Sequence, residues 1–283
     1  MGLGTAASFG VLAGTAVTNV GATTIDGNVG VSPGAAVIGF PPGGTANGTV
    51  HSADAVASQA QTDLTIAYND AAGRTGGATV SGDLGGRTLT PGVYTSASSL
   101  GLTGTLTLDA QGNPNAVFVF QAGSTLTTAS GSHVNMIGGA RACNVFWQLG
   151  SSGTLGTNSV FRGNVLALTS ITVTTGTTVE GRVLSRNGAV TLDTDIITKG
   201  TCTTSPGGTA GTGGTTSPGG TTGTGGTGGT GGTTSPGGTT GTGGTGGTTS
   251  PRGTTGKVLP VTGAALPIGS TVTLAVGLIL IGL

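Results

Sequence analysis

The sequence predicts a mainly β fold in which a three-strand coil is stacked on itself, with one long α-helix packed along the flank of the stack. Three observations lead there. Segments of the form Thr-hydrophobic-x-Thr recur at Thr125-Leu126-Thr127-Thr128, Thr154-Leu155-Gly156-Thr157, Thr172-Val173-Thr174-Thr175 and Thr191-Leu192-Asp193-Thr194. A motif returning at such intervals marks one structural unit repeated along an axis. Around it, apolar and polar residues alternate in period two, with Gly and Asn at the corners where tight turns are needed. A single window, residues 52–73, keeps helical spacing instead.

Taken in order, Phe9 to Gly14, Ala16 to Asn19 and Thr24 to Val29 read as one coil, and Pro33, Pro41 and Pro42 mark a loop after it. The helix over 52–73 is capped by Ser52 and stopped by Gly73, and it places Val56, Ala60, Leu64, Ala67 and Ala71 on one face. The coil signal resumes at Thr79 with Val80 to Leu84, Thr88 to Thr90, Val93-Tyr94, Leu100 to Leu102 and Thr105 to Leu108. Beyond that, each rung has a first strand (117–121, 145–149, 165–168, 183–185) and a second strand that carries the threonines. A third strand carries the scarce charges and amides: His133 and Asn135, Arg162 and Asn164, Glu180 and Arg182. The first strand is apolar on both sides, so its outer side can lie under the helix. The third reads as solvated surface.

Strand alternation assigns the faces of the second strand. Leu126, Leu155, Val173 and Leu192 point inward, and the residues flanking each of them point outward. The outward set is Thr125, Thr127, Thr154, Thr172, Thr174 and Thr191, interrupted by Gly156 and Asp193 and extended by Thr18 beside Ala16 and by Ser99 beside Gly101. Stacking would repeat these side chains every ~4.8 Å. A flat, rigid, uncharged grid of that kind suits an ordered solid better than a small molecule.

Composition removes several function classes. The 283 residues include 61 Gly, 6% are charged and the net charge is zero, which leaves no source of attraction to nucleic acid or anionic lipid. The only histidines are His51 and His133, and no Cys-x-x-Cys or His-x-x-x-His spacing occurs, so no metal and no cofactor is expected. The nine Asp and Glu residues are scattered without pairing, whereas solenoid lyases and hydrolases need clustered carboxylates or an Arg base. No catalytic residue is assigned.

Several stretches carry a specific resemblance: Ser8 to Gly14, Ile25 to Pro33, Gly82 to Gly86, Thr90 to Tyr94, Gly123 to Thr127, Phe146 to Ser152 and Gly188 to Leu192. On these, residues 3–200 resemble the microbial ice-binding protein family. The resemblance implies a right-handed three-faced parallel β-helix with one flanking helix, and a partner that is an ice crystal surface met by one flat solenoid face. The chemistry is consistent with that. A Thr side chain offers a hydroxyl for lattice water and a methyl that orders water beside it. Its β-branch stiffens χ1, and many weak contacts add as avidity. The alternative is a non-enzymatic surface adhesin that grips a polysaccharide or another cell. Such a protein should show aromatic platforms, and the sole Trp147 sits on the apolar strand.

Domain organisation follows composition. Residues 1–202 hold the solenoid, 203–257 form a Gly/Thr/Ser/Pro-rich stalk expected to stay disordered, and 258–283 hold Leu259-Pro260-Val261-Thr262-Gly263 and an apolar tail. The pentapeptide resembles the sortase sorting signal of Gram-positive surface proteins. That resemblance implies cleavage after Thr262, with sortase and peptidoglycan as anchoring partners and an extracellular, wall-anchored monomer as the product. The basic residues that ordinarily end such a signal are missing, so either the sequence is truncated or retention is poor. Met1-Gly2-Leu3 runs straight into the fold, as at a mature-like boundary. Cys143 opens a repeat and Cys202 closes the folded part. A disulfide between them suits an oxidising exterior and contributes at most about 4 kcal/mol by loop entropy, the alternative being two unpaired thiols.

Overall fold

Period-two alternation winds the chain into a parallel solenoid with three walls. The computed structural model describes residues 1–41, 43–200 and 202. The stretches expected to form a stalk (203–257) and a sorting signal with an apolar tail (258–283, including Leu259 to Gly263) lie outside the described residues.

The first coil is β1 (Phe9–Ala13), β2 (Ala16–Val20) and β3 (Thr24–Ile25). A second follows at once: β4 (Asn28–Val31), β5 (Ala36–Ile38) and β6 (Thr45–Ala46), closed by β7 (Val50–Ser52). After α1 (Ala55–Ala72) come β8 (Ala78–Thr79), β9 (Gly82–Asp83) and β10 (Thr88–Leu89), then β11 (Gly92–Ser96), β12 (Leu100–Leu102) and β13 (Thr105–Asp109). Next are β14 (Phe118–Ala122), β15 (Leu126–Thr128) and β16 (His133–Ile137), then β17 (Val145–Leu149) and β18 (Gly153–Leu155). The last strands are β19 (Val160–Ala167), β20 (Ile171–Val173), β21 (Thr178–Ser185), β22 (Val190–Asp193) and β23 (Ile196–Thr198).

The order of stacking is not the order of the chain. The second wall is an eight-stranded sheet ordered β5-β2-β22-β20-β18-β15-β12-β9. The first and third walls show the same splice, with β1 on β21 and β3 on β23. The N-terminal coils therefore sit beyond the C-terminal one, and α1 carries the chain from one end of the stack back to the other. β19 and β21 are long because each runs through a corner from the third wall into the first. The corners are Gly163 (φ +117°) and Gly181 (φ +151°), where a side chain on Gly181 would collide with the Gly163 carbonyl.

Inside the coils lies a continuous apolar column. Tyr94, Phe120 and Trp147 stack on successive rungs at centroid distances of 5.3 and 4.0 Å, and Phe161, on the third wall of the Trp147 coil, tilts against it at 5.1 Å, close to the range aromatic pairs prefer. The outer side of the first wall is apolar too and lies under the helix: Ala60, Leu64, Ala67, Tyr68 and Ala71 meet Phe9, Leu12, Val119, Phe146, Leu166 and Leu184. Burial of Leu64 alone contributes about 2 kcal/mol. Polar groups fix the helix on the wall. Tyr68 donates to the Leu149 carbonyl at 3.0 Å and accepts from Gln148 at 2.8 Å. Gln121 donates to the carbonyls of Ala71, Ala72 and Arg74 and so caps the helix C-terminus.

Four details differ from the sequence expectation. Thr24 to Val29 does not form one strand: β4 opens a second coil at Asn28, and β5 and β6 continue it through the loop expected at Pro33, Pro41 and Pro42, because strands of two or three residues show no measurable period. The helix cap is Asp54, whose carboxylate accepts from the Ala57 amide at 2.8 Å, while Ser52 belongs to β7 and donates to Ala35. Val56 points to solvent and Ala57 takes the buried place. Asn164 and Arg182 are covered rather than solvated. Asn164 donates to the Cys143 and Val145 carbonyls, and Arg182 donates to Asn164 and to the Ala7 carbonyl. Burial lowers the Arg182 pKa, against the opposing pull of Asp26. Cys143, in a short 3-10 turn ahead of β17, and Cys202 form a disulfide.

Candidate binding face

The second wall builds its surface from one residue per rung. Inward, Leu100, Leu126, Gly153, Ile171, Val190 and Val17 form one row, each paired with the next. The next residue on every strand must then face out. Thr127 pairs with Thr154, Thr154 with Thr172, Thr172 with Thr191, and Thr191 with Thr18. Five threonines thus stand in one straight ladder spanning about 19 Å at ~4.8 Å per rung. Its last step, Thr191 to Thr18, joins residues from the two ends of the folded chain. Gly101 and Asp83 continue the row at one end, and Ile38, 56% exposed, continues it at the other.

The ladder differs from its flanks in how its hydroxyls are used. Among the described residues, none of the five ladder hydroxyls bonds to another protein group. The flanking hydroxyls are committed. Thr125 donates to Ser99 at 2.9 Å, and Thr174 donates to the Leu155 carbonyl at 2.7 Å while accepting from Thr157. On the Ser99–Thr125 side, Ser152 accepts from the Ser170 amide and Ser170 from the Ala189 amide. The flanks brace the wall, and the centre is left to whatever lies against it. A β-branched side chain on a rigid strand has little rotamer freedom to lose on contact.

Charge is kept at the margins. Hydrogen bonds from Thr103 and Gly85 hold the Asp83 carboxyl below its ordinary range. Asp193 accepts from Thr175 and Thr194 at the wall's edge. Asp195 lies inside the corner, fully buried, and accepts from the Asp193 and Thr177 amides. Burial pushes its carboxyl up to about 7. It has no access to a ligand. No group of three or more His, Cys, Asp or Glu among the described residues could hold a metal ion.

All eight sequence-derived face residues lie on this wall or at its strand ends. Thr127, Thr154, Thr172, Thr191 and Thr18 form the ladder, and Thr125, Thr174 and Ser99 flank it. Gly156 is not a gap in the grid. It sits buried at a corner, where a side chain would strike the Thr128 carbonyl. Sequence reasoning missed the bracing role of Ser152 and Ser170. Their signal is a hydroxyl two residues before the ladder threonine, also present at Thr125.

Comparison with known proteins supplies the family. The profile of the ice-binding-like family matches residues 11–198, a span that includes every ladder threonine. The chain belongs to the ice-binding-like family. Among its relatives, an ice-binding protein of Nostoc sp. (strain HG1) is 55% identical over 206 residues, covering 72% of this chain and 76% of the relative. The crystal structure of an ice-binding protein from an Antarctic biological consortium superposes with a TM-score of 0.69 at 52% identity, covering 71% of this chain and 91% of that one. An ice-binding protein from the Antarctic ascomycete Antarctomyces psychrotrophicus gives 0.68 at 41% identity, covering 71% and 98%. The ice-binding-like fold accounts for the parallel solenoid with one flanking helix.

Proposed function

We propose that this chain binds ice through the threonine ladder of the second wall and so inhibits ice growth and recrystallisation. One observation carries the proposal: five in-register threonines on one wall, with hydroxyls that no other protein group among the described residues uses. Five weak contacts at fixed spacing add up only against a surface that is itself periodic. An adsorbed protein pins the growing front and curves it between neighbours. Membership of the ice-binding-like family supports the same partner.

The protein acts as a monomer at the cell exterior, held there by the segment around Leu259–Gly263 through sortase and peptidoglycan. Support for display is the sorting pentapeptide after a Gly/Thr-rich stretch and a disulfide that suits an oxidising compartment. No catalytic step is assigned. A sugar-binding adhesin is disfavoured because it needs exposed aromatic platforms, and Trp147 is fully buried.

The test is ice-growth inhibition and recrystallisation by the full chain on a cooled-stage microscope. Faceted crystals and a gap between melting and freezing are expected. Round, freely growing crystals at high concentration of folded protein would dismiss ice as the partner.

A further inference from the structure

The disulfide joins two points that matter mechanically. The 283-residue sequence continues well past Cys202, so any pull along that segment enters the domain at Cys202. The next element inward is β23, three residues long and paired to β21 and β3. Without a crosslink, such a pull would peel β23, then β22 with Thr191, then the rungs behind it. Cys143 sits elsewhere, between β16 and β17, both embedded in the stack. Its 3-10 turn lies at the corner of the third and first walls, where both cysteines line an open recess with Arg182, Phe146, Ala7 and Gly200. In a three-walled coil that corner is opposite the second wall. Tension and ice contact therefore fall on opposite sides of the domain.

We propose that the Cys143–Cys202 bridge makes this domain a load-bearing ice anchor, a proposal that rests on the ice reading above. The bond hands tension from Cys202 directly to the middle of the stack. It closes a covalent loop over β17–β23 that a pull from the C-terminal side cannot unravel. Thr154, Thr172 and Thr191, three of the five ladder threonines, lie inside that loop. A protein that only had to adsorb from solution would have no need of a force path. One that holds a tethered body to ice does, because a domain that unfolds under load loses its ladder, and forced unfolding is governed by a rate.

The experiment compares the full chain attached to beads through its C-terminus with the same chain attached through Met1, each pulled from a single ice crystal under flow. Each geometry is run oxidised and after reduction with dithiothreitol near the melting point, and the Cys143→Ser/Cys202→Ser variant is run alongside. Untethered recrystallisation inhibition is measured on all samples. Reduction is expected to shorten C-terminal bond lifetimes about tenfold or more, to leave N-terminal lifetimes within about twofold, and to leave untethered activity unchanged. Equal lifetimes with and without the bridge in the C-terminal geometry would overturn the proposal. So would an equal loss in both geometries, which would make the bridge a general stabiliser. Absence of ice activity in every sample, oxidised protein included, would instead overturn the ice reading on which the proposal rests. In situ reduction starts from folded protein, so the comparison stands even where the double variant does not fold.

Discussion

Thr172→Tyr is the most informative single change to the face. Thr172 is the middle rung of the ladder, with Thr154 and Thr191 on either side, each ~4.8 Å away. Tyrosine is a good strand residue, and the side chain faces outward, so fold stability should move by less than about 0.5 kcal/mol. The ring would stand above the threonine plane and hold both neighbours off a flat solid. Three of five contacts would be lost. At about 1 kcal/mol net per hydroxyl contact the loss is about 3 kcal/mol, or roughly 150-fold in affinity. The assay is the lowest concentration that stops recrystallisation, with circular dichroism as the check on folding. Asn135→Tyr, on the exposed third wall, is the matched control and should change nothing. Full activity in Thr172→Tyr together with loss in Asn135→Tyr would move the binding face to the third wall.

Three further outcomes follow from the packing. Gln121→Ala removes the amide that donates to the Ala71, Ala72 and Arg74 carbonyls. It should cost about 2–4 kcal/mol in urea denaturation and speed amide exchange at the end of α1, and a change confined to the solenoid would contradict that role. Trp147→Ala empties the centre of the aromatic stack and should cost about 3–5 kcal/mol, so a loss under about 1 kcal/mol would mean the column does not support the rungs. Asp195, raised by burial from 3.8 to about 7, is held in its neutral form by the fold. Between those two values the folded state binds more protons than the unfolded one, so this group's contribution to stability falls as pH rises through the window and is level above it. The stability difference between wild type and Asp195→Asn should therefore slope from pH 4 to 7, whereas a constant difference would show that the carboxyl ionises normally.

Much of this was legible because a solenoid repeats its grammar. The ladder threonines announce themselves by flanking inward leucines and valines, and the double apolar character of 165–168 signals a wall covered on both sides. The rest of the second coil was hidden because β5 and β6 are too short for alternation to be counted and each follows a proline-marked turn. The helix start was misplaced by two residues because Ser52 and Asp54 are equally good caps, and only pairing of β7 with β4 decides between them. Asn164 and Arg182 read as surface because nothing local reveals that the 3-10 turns at Gly4–Ser8 and Ala142–Asn144 fold over them. The join of Thr191 to Thr18 could not be read at all, since alternation says which way a residue faces and not which rung lies beside it.

That join also sets the order in which the molecule can be completed. The outermost strands of the second wall, β5 and β9, come from the interior of the sequence, while its N-terminal and C-terminal strands meet in the interior of the stack at β2 and β22. The coils of β1–β6 can pair with one another early, and those of β8–β20 can grow rung by rung as the chain emerges. Neither block completes the wall until residues 178–198 arrive between them. Closing the wall is thus a non-local step, of the kind topology makes slow. A chain that stops short of β22 lacks Thr191, the rung that joins Thr172 to Thr18, and cannot make the five-rung ladder. A continuous threonine face is therefore a property only of finished protein.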